Sequence, residues 1–227
     1  MTLPAICIKD LEKSYNGTRA LDGVSLEIGD GQFFGLLGPN GAGKTTTINI
    51  LSGLVLKDRG KTEVFGMDTV KDYRTTRSKI GIAAQELPQD WFFPIETLLY
   101  FQAGYYGITR KKAEPNVKRL LKRLGLTGKK EARLRQLSGG MKRRYQLAKA
   151  LVHDPKIVIL DEPTAGVDVE FRHDMWKLFR ELHGEGKTIL LTTHYIEEAE
   201  MLCEDVGIID EGKIIARGKP KDLTKQS

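Results

Sequence analysis

The amino-acid sequence predicts an α/β fold built around a phosphate-binding loop, and three observations lead to that prediction. A buried strand, a glycine-rich turn and a helix follow one another between residues 32 and 54. Aliphatic strands alternate with helical segments before residue 84 and after residue 155, and a basic helical section interrupts this alternation. We therefore expect a core with a mixed central sheet, an N-terminal antiparallel β subdomain and an inserted α-helical subdomain.

The length of the chain allows one large domain or two small ones. The chain has 227 residues, 40% of them hydrophobic and 29% charged, which is typical of folded soluble proteins that bury a full core. No apolar run approaches the roughly 18 residues that cross a bilayer, and the N-terminus lacks a basic segment followed by an apolar one. We expect a cytosolic chain in which Cys7 and Cys203, far apart and without metal-like spacing, are reduced and partly buried.

The first 28 residues predict an antiparallel β layer. Apolar and polar residues alternate over residues 5–15 and 24–28, and the pairs Asn16-Gly17 and Asp22-Gly23 are turn signals. Tyr15 ends the first of these strands, upstream of the phosphate-binding loop. It is either a sheet aromatic with its hydroxyl in water or a ring that stacks on adenine.

Residues 35–47, Gly-Leu-Leu-Gly-Pro-Asn-Gly-Ala-Gly-Lys-Thr-Thr-Thr, contain the phosphate-binding pattern G-x-x-x-x-G-K-S/T. A buried strand over residues 32–37 precedes the pattern, and a helix over residues 45–54 is expected to follow it, with Leu54 as its last apolar position. In such a turn the backbone amides wrap a polyphosphate, and the helix N-terminus adds partial positive charge. The motif in this context predicts a P-loop NTPase core.

We expect the loop to bind the polyphosphate of a nucleotide together with Mg²⁺. Lys44 is predicted to reach the β and γ phosphates, and the Thr45 hydroxyl is predicted to ligate Mg²⁺. The glycines permit backbone angles and close approaches that a β-carbon would block. The residues predicted to contact the nucleotide here are Gly38, Pro39, Asn40, Gly41, Ala42, Gly43, Lys44, Thr45 and Thr46.

The middle of the chain predicts an inserted helical subdomain. Short strands are expected near residues 60–64 and 80–84, and Gln85 stands where the second strand meets a loop. A glutamine in that position is usually polar surface. Helices are then expected over residues 97–106, 111–124 and 137–153. We divide the single domain, residues 1–227, into a core of residues 1–84 and 155–227 and a helical subdomain of residues 86–154.

Two features of this section point to partners. Residues 91–106, from Trp91 to Tyr106, hold 7 of the 17 aromatic residues and form either the core of the helical subdomain or an exposed groove for another protein. Residues 110–149 carry 15 Lys and Arg against 2 acidic residues. Such a basic segment indicates nucleic acid, an anionic membrane surface or simply a solvated helix face.

The run from Lys156 to Pro163, Lys-Ile-Val-Ile-Leu-Asp-Glu-Pro, predicts a central parallel strand that ends in two carboxylates. Asp161 is predicted to help position Mg²⁺, and Glu162 to orient or deprotonate a water that attacks the γ-phosphate. The alternative is an acid pair that only caps the next turn.

Further elements follow in α/β order. Asp168 is expected to N-cap a helix over residues 169–183. A buried strand over residues 188–192 leads to His194, which is either structural or faces the γ-phosphate. A short helix over residues 196–202 and a hairpin over residues 206–216 are expected to end the fold.

Along nearly its whole length the chain resembles the ATP-binding subunits of ABC transporters. Three motifs carry the resemblance: Gly38 to Thr45, Leu137-Ser-Gly-Gly-Met141 and Ile157-Val-Ile-Leu-Asp-Glu162. The resemblance implies that Tyr15 stacks on adenine and that Gln85 touches Mg²⁺ and the attacking water while sensing a membrane partner. It further implies that Glu162 is the catalytic carboxylate, that Asp168 belongs to the loop crossing a dimer interface, and that His194 contacts the γ-phosphate.

The segment Ser138, Gly139 and Gly140 opens a helix, so its amides form a second possible anion site. The alternative is a Ser N-cap with glycines that allow a tight entry. In the family this segment grips the γ-phosphate held by the other copy, so two subunits pack head to tail around two ATP molecules. Met141 departs from the Gln of many members, which removes a polar side chain but not the amides.

The resemblance extends to a subfamily and to partners. Residues 137–144, 164–168 and 192–202 look like those of bacterial efflux ATPases that export drugs, polysaccharides or other lipophilic cargo through a permease on a separate chain. The implied partners are that permease and a second copy or a paralogous ATPase, and the implied location is the cytoplasmic side of the membrane. No nucleic acid is expected. The alternatives are an ABC-type ATPase acting on nucleic acid or the ribosome, and a P-loop kinase, which leaves Ser138 unexplained.

Overall fold

The computed structural model describes residues 3–86 and 92–223, and its elements alternate between strands and helices. The strands are β1 (Ile6–Tyr15), β2 (Thr18–Ile28), β3 (Phe33–Leu37), β4 (Arg59–Val64), β5 (Met67–Asp68), β6 (Ile80–Ala83), β7 (Ile157–Asp161), β8 (Thr188–Thr193), β9 (Asp205–Asp210) and β10 (Lys213–Gly218). The helices are α1 (Lys44–Leu51), α2 (Tyr73–Lys79), α3 (Ile95–Tyr105), α4 (Arg110–Arg123), α5 (Gly139–Leu151), α6 (Val169–Gly184), α7 (Ile196–Leu202) and α8 (Pro220–Leu223).

A six-stranded sheet in the order β10-β9-β3-β8-β7-β6 forms the centre of the molecule. The pairs from β9 through β3, β8 and β7 to β6 are parallel, and β10 joins the edge antiparallel to β9. Every residue of β3, β7 and β8 is buried, as expected for strands covered on both faces. The predicted mixed central sheet is therefore confirmed, and the carboxyl ends of β3, β7 and β8 meet at one edge.

The N-terminal layer is a second, antiparallel sheet in the order β2-β1-β4-β5. Its first hairpin turns at Asn16-Gly17 as predicted, but the prediction of a turn at Asp22-Gly23 was wrong. β2 continues through this pair, with Asp22 opposite Glu12 and Val24 opposite Leu11. The positive φ of Gly23, 74°, accompanies a register shift between the strands, so the glycine produces a bulge where the sequence suggested a turn.

The helix after the phosphate-binding loop is shorter than predicted. α1 ends at Leu51, because Gly53 adopts a left-handed conformation with φ of 71° and the amide of Leu54 donates back to the Asn49 carbonyl at 2.8 Å. Leu54 is consequently 75% exposed and is not a core position of the helix. The short strand β5 and the helix α2 were not predicted.

Helices α3, α4 and α5 lie between β6 and β7 and pack on one another, in agreement with the predicted helical section. Their apolar side chains join the core of the sheet in one cluster, which contains Phe33 and Leu37 of β3 together with Leu99, Val117 and Tyr145. The division of the chain at residues 84–86 and 154–155 stays a prediction. Cys7 and Cys203 are free and buried, as expected.

No helix within residues 3–86 and 92–223 has both the length and the apolar character needed to span a bilayer.

Candidate functional site

The glycine-rich loop lies between the carboxyl end of β3 and the N-terminus of α1, as its motif predicts. Gly43 immediately precedes the helix with φ of 112°. A β-carbon there would lie 2.7 Å from the Leu21 side chain and 2.9 Å from the Ala20 carbonyl oxygen. The loop therefore requires glycine at this position for two reasons, its backbone angle and the close approach of β2.

Lys44 is folded into its own loop and is only 4% exposed. Its Nζ donates to the carbonyls of Gly38 at 2.7 Å and Pro39 at 3.0 Å. The same ammonium lies 3.2 Å from Oε1 of Glu162. The loop lysine and the carboxylate after β7, which are 118 positions apart in the printed sequence, thus form a buried ion pair.

Glu162 is the point at which the polar side chains of the site converge. It is 6% exposed, and its Oε2 lies 3.3 Å from Gln85 Nε2 and 3.4 Å from His194 Nδ1. Its backbone has a positive φ of 46°, and its amide donates to the carbonyl and the hydroxyl of Thr192, each at 3.1 Å. The β7–β8 pairing therefore fixes this strained residue, which turns its carboxylate toward the loop.

Asp161, one residue earlier, faces the start of α1. It is 4% exposed and accepts a hydrogen bond from the Thr192 hydroxyl at 2.6 Å, and the nearby Thr45 hydroxyl acts to lower its pKa. Burial raises the pKa of the Asp161 carboxyl, against the opposing effect of the Thr192 hydrogen bond. A carboxylate beside a threonine hydroxyl at a phosphate-binding loop is a donor set that suits Mg²⁺, which takes one or two protein oxygens and completes its shell with phosphate and water.

A cavity of about 260 Å³ opens between these groups. Its lining consists of Asn40, Gly41, Gly43, Lys44, Thr45, Thr46, Gln85 and Glu162. In the part of the chain that the structure describes, no three His, Cys, Asp or Glu side chains come together as a metal site of their own.

Tyr15 does not line this cavity. Its side chain is 43% exposed, and the Lys13 ammonium lies 5.4 Å from its ring centroid. An exposed face on the β layer is compatible with either of its two interpretations.

The segment Ser138–Gly140 is also outside the cavity of its own chain. The Ser138 hydroxyl accepts from the Met141 amide at 3.3 Å and so N-caps α5, which is the alternative interpretation of this serine. Gly140 packs so tightly that a β-carbon would lie 2.8 Å from the Phe171 ring. Asp168 caps α6 through the Phe171 amide at 2.8 Å, as predicted.

Sequence reasoning missed Thr192, Gln146 and Glu198. Thr192 binds both carboxylate residues of the site, and Gln146 contacts the segment around Gln85. Glu198 on α7 is fully buried, and its Oε1 accepts from the Thr164 hydroxyl at 2.8 Å and from Trp176 Nε1 at 2.9 Å. The available signal was a polar residue at a core-facing position of a helix or strand, since a buried polar group requires partners.

The profile of the ABC transporter family matches residues 21–165, which span the loop, the Ser138 segment and the strand ending at Asp161. The chain belongs to the ABC transporter family. A Nod factor export ATP-binding protein I from Burkholderia pseudomallei (strain 1710b) is 44% identical over 223 residues, which is 98% of this chain and 73% of the relative.

Solved structures of ABC ATP-binding subunits agree with this assignment. Clostridium perfringens cbiO1, part of the ABC transporter complex cbiONQ, superposes with a TM-score of 0.87 and 30% identity over 99% of this chain and 92% of that chain. The dimeric ATP-binding cassette MJ0796, in a post-hydrolysis state bound to ADP and Pi, has a TM-score of 0.86 and 25% identity over 95% of this chain and 98% of that chain.

These comparisons confirm the ABC ATP-binding subunit that the three motifs indicated, its α/β fold and its activity as an ATPase. Of these two neighbours, cbiO1 is part of a transporter complex and MJ0796 is dimeric. The nucleic-acid alternative is not favoured, since the relatives are named for export and transport. The role of each site residue stays a prediction.

Proposed function

We propose that this ABC subunit hydrolyses ATP in the cavity between the Gly38–Thr46 loop and Glu162, and that hydrolysis powers export through a permease on a separate chain. The observation that carries the catalytic part is the convergence of Lys44, Gln85 and His194 on the Glu162 carboxylate within 3.2–3.4 Å. A carboxylate at the end of a parallel strand, next to a phosphate-binding loop, suits the activation of an attacking water.

The remaining site residues have complementary roles in the proposal. Lys44 and the loop amides bind the triphosphate and stabilise the transferring phosphoryl group, and His194 holds the γ-phosphate. Thr45, Asp161 and Gln85 are the residues that would hold Mg²⁺, which neutralises charge on the phosphate oxygens when bound. Tyr15 is proposed to stack on the adenine ring from the edge of the β layer.

A second copy, or a paralogous ATPase, completes the site in this proposal. Ser138, Gly139, Gly140 and Asp168 do not reach the cavity of their own chain, and Gly139 has open space where a β-carbon would be. Exposed amides at the start of a 13-residue helix suit a γ-phosphate presented by another chain. Two chains packed head to tail would each supply one half of each site, and MJ0796 is dimeric.

Glu162→Gln tests hydrolysis and dimer formation together. We expect ATP turnover to fall at least about 100-fold, because a positioned general base contributes on that scale. With saturating MgATP the variant should elute from a sizing column as a dimer, because bound ATP then persists between the chains. Lys44→Ala is the matched control that should stay monomeric. A monomeric Glu162→Gln chain under these conditions would contradict the head-to-tail proposal.

The aromatic segment before and along α3 is the proposed docking site for a cytoplasmic helix of the permease. Phe93 and Phe101 are 45% and 47% exposed and contact each other edge to face, with ring centroids 5.3 Å apart. Tyr105 on the same helix is 83% exposed. Exposed aromatic side chains in one place are typical of protein interfaces. Trp91, also part of the predicted segment, lies outside the described residues.

Export and a position on the cytoplasmic side of the membrane belong to this part of the proposal. They are supported by the relatives named for export and by cbiO1, a part of a transporter complex. Phe93→Asp should leave the ATPase rate of the isolated chain within twofold and abolish ATP-dependent transport in membranes, and Phe92→Asp should act in the same direction. Tyr73→Asp, an exposed aromatic on α2, is the control. Unchanged transport in Phe92→Asp and Phe93→Asp would refute the docking site.

A further inference from the structure

Two side chains of α5 hold three consecutive backbone carbonyls of the segment that follows β6. Gln146 Nε2 donates to the carbonyl of Ala84 at 2.8 Å and to that of Glu86 at 2.6 Å. Arg143 Nη1 donates to the carbonyl between them, that of Gln85, at 2.6 Å. We call Arg143 and Gln146 the α5 clamp. The clamp fixes the backbone at Gln85 and on both sides of it.

All polar groups of the Gln146 side chain have hydrogen-bond partners. Gln146 is only 5% exposed, so each of its amide groups needs a partner. Its two N–H groups are used by the carbonyls of residues 84 and 86, and its Oε1 accepts from Arg143 Nη1 at 3.4 Å. A shift of the segment away from α5 would leave a buried amide unpaired, which is unfavourable. The contact is therefore specific in position and resists displacement.

The fixed backbone determines where the Gln85 side chain can reach. Gln85 itself is exposed and makes its side-chain contact with Glu162, at 3.3 Å. An exposed glutamine normally samples several rotamers, and a fixed backbone limits the positions from which its amide starts. The clamp thus favours the arrangement in which Gln85 lies beside the carboxylate.

The clamp also belongs to the helix that begins at Gly139. Gln146 lies seven residues into α5, or roughly 10 Å along the axis at 1.5 Å per residue. A helix of this length moves as a rigid rod, so a displacement of its N-terminus reaches the segment around Gln85.

We propose that Arg143 and Gln146 are positioning residues for ATP hydrolysis, which act through Gln85 and link its position to that of the Ser138–Gly140 end of α5. This inference rests on the role of Gln85 given under Proposed function. It adds two residues that touch neither nucleotide nor metal in that proposal.

The test compares kcat and KM of purified single variants. Gln146→Leu keeps the size of the side chain and removes both donors, and we expect kcat to fall at least fivefold with KM for ATP within twofold of wild type. Arg143→Met should lower kcat about threefold, and Arg143→Lys, which keeps one donor group, should restore most of it. Because Arg143 is only partly buried, Arg143→Met also serves as the second variant if Gln146→Leu folds poorly.

A double variant separates positioning from general destabilisation. If the clamp acts through Gln85, adding Gln146→Leu to Gln85→Ala should lower kcat by less than a further twofold. Asn116→Leu is the matched control: its amide on α4 donates to the carbonyl of Val152 at 2.7 Å, away from the site. It should reduce the melting temperature to a similar extent as Gln146→Leu and leave kcat unchanged.

The outcomes distinguish the inference from the function on which it rests. Unchanged kcat in Gln146→Leu and Arg143→Met, together with at least a tenfold loss in Gln85→Ala, would overturn the clamp alone. Unchanged kcat in Gln85→Ala would overturn the role proposed for Gln85, and the clamp with it. A multiplicative loss in the Gln85→Ala and Gln146→Leu double variant would show that Gln146 acts by another route and would also overturn the inference.

Discussion

The Gly38–Thr46 loop and the Ser138–Gly140 segment both place glycines and backbone amides at the start of a helix, yet they differ in what lies behind them. The loop is supported by the buried side chains of Lys44, Asp161 and Glu162. The Ser138 segment is exposed over its first two residues, and its hydroxyl is engaged by its own helix. A phosphate can therefore be bound at the loop by the Lys44 ammonium as well as by amides, whereas the Ser138 segment offers amides alone. We therefore expect the Gly38–Thr46 loop to bind nucleotide within one chain, and the Ser138 segment to contact a phosphate only when a second chain presents it.

The largest expected effect comes from Lys44→Ala. The lysine supplies a charge-assisted contact to phosphate, which is typically worth about 1.5–3 kcal/mol. We expect ATP affinity of the single chain to fall about 10- to 100-fold, measured by titration calorimetry under conditions where the chain is monomeric. Ser138→Ala should leave this affinity within twofold. Equal losses in the two variants would break the comparison, because the Ser138 segment would then contribute to binding within one chain.

A smaller and more selective effect is expected from Gly139→Ala. A β-carbon at Gly139 meets no atom within 4 Å in its own chain, and alanine is favoured over glycine in a helix by up to about 1 kcal/mol. The free energy of unfolding should be unchanged or slightly higher, with unchanged ATP affinity of the monomer. The ATPase rate should fall at least about tenfold, because the added methyl group would face the phosphate held by the second copy. Urea unfolding and turnover assays on one preparation check both parts, and full turnover would contradict them.

The smallest effect on ATP binding and turnover is expected for a substitution of His153, which follows the C-terminal end of α5. His153 contacts neither the Gly38–Thr46 loop nor the Ser138 segment. Its Nε2 lies 3.0 Å from the Ile80 carbonyl oxygen and its ring stacks on Tyr106 at 3.6 Å. Burial lowers the pKa of His153 to about 4, against the opposing effects of its hydrogen bond to the Ile80 carbonyl and of the Asp154 charge. The pKa of this histidine in the unfolded state is higher, near 6.5, so the unfolded state binds a proton first as the pH falls. The contribution of neutral His153 to the free energy of unfolding is therefore fully present above about pH 6.5 and is lost as the pH falls from there toward 4.

His153→Phe removes this titration and keeps the stacked ring. At pH 7 the variant should be less stable by about 1 kcal/mol, the typical value of one hydrogen bond. From pH 7 to pH 5 the free energy of unfolding should decrease by about 1–2 kcal/mol less in the variant than in the wild type. Thermal and urea unfolding at the two pH values measure this, with turnover at pH 7 expected to be unchanged. A parallel loss in both proteins would show that His153 does not control the acid sensitivity.

Much of the fold follows from local patterns in the sequence. Apolar runs predicted β3, β7 and β8, and the capping roles of Ser138 and Asp168 follow from their positions just before segments with helical periodicity. The wrong predictions, a turn at Gly23 and a buried Leu54, arise where one local sequence pattern is compatible with two structures. A positive φ at Gly23 fits a turn or a bulge, and only the pairing of β2 with β1 decides between them. The exposure of Leu54 likewise depends on where Gly53 ends the helix.

The candidate site was predictable where a motif names the residues, and the structure brings Lys44, Glu162, Gln85 and His194 together from four separate segments. The residues that hold these groups were not predictable. Thr192 and Gln146 act through hydrogen bonds to residues 30 or more positions away in the chain, and no local pattern reports such a distance. Glu198 is similar, since its partners lie in the loop after Glu162 and in α6.

The ion pair between Lys44 and Glu162 has a thermodynamic consequence for ligand affinity. One ammonium cannot neutralise both this carboxylate and an incoming triphosphate, so on nucleotide binding Lys44 exchanges the carboxylate for phosphate. The free energy of nucleotide binding is therefore a difference between these two interactions. Removing the charge of Glu162 would leave Lys44 bonded only to the Gly38 and Pro39 carbonyls, so by linkage we expect a higher affinity of the single chain for nucleotide before a second chain is involved. The carboxylate proposed to drive hydrolysis thus also sets an upper limit on how tightly the chain can hold its own substrate.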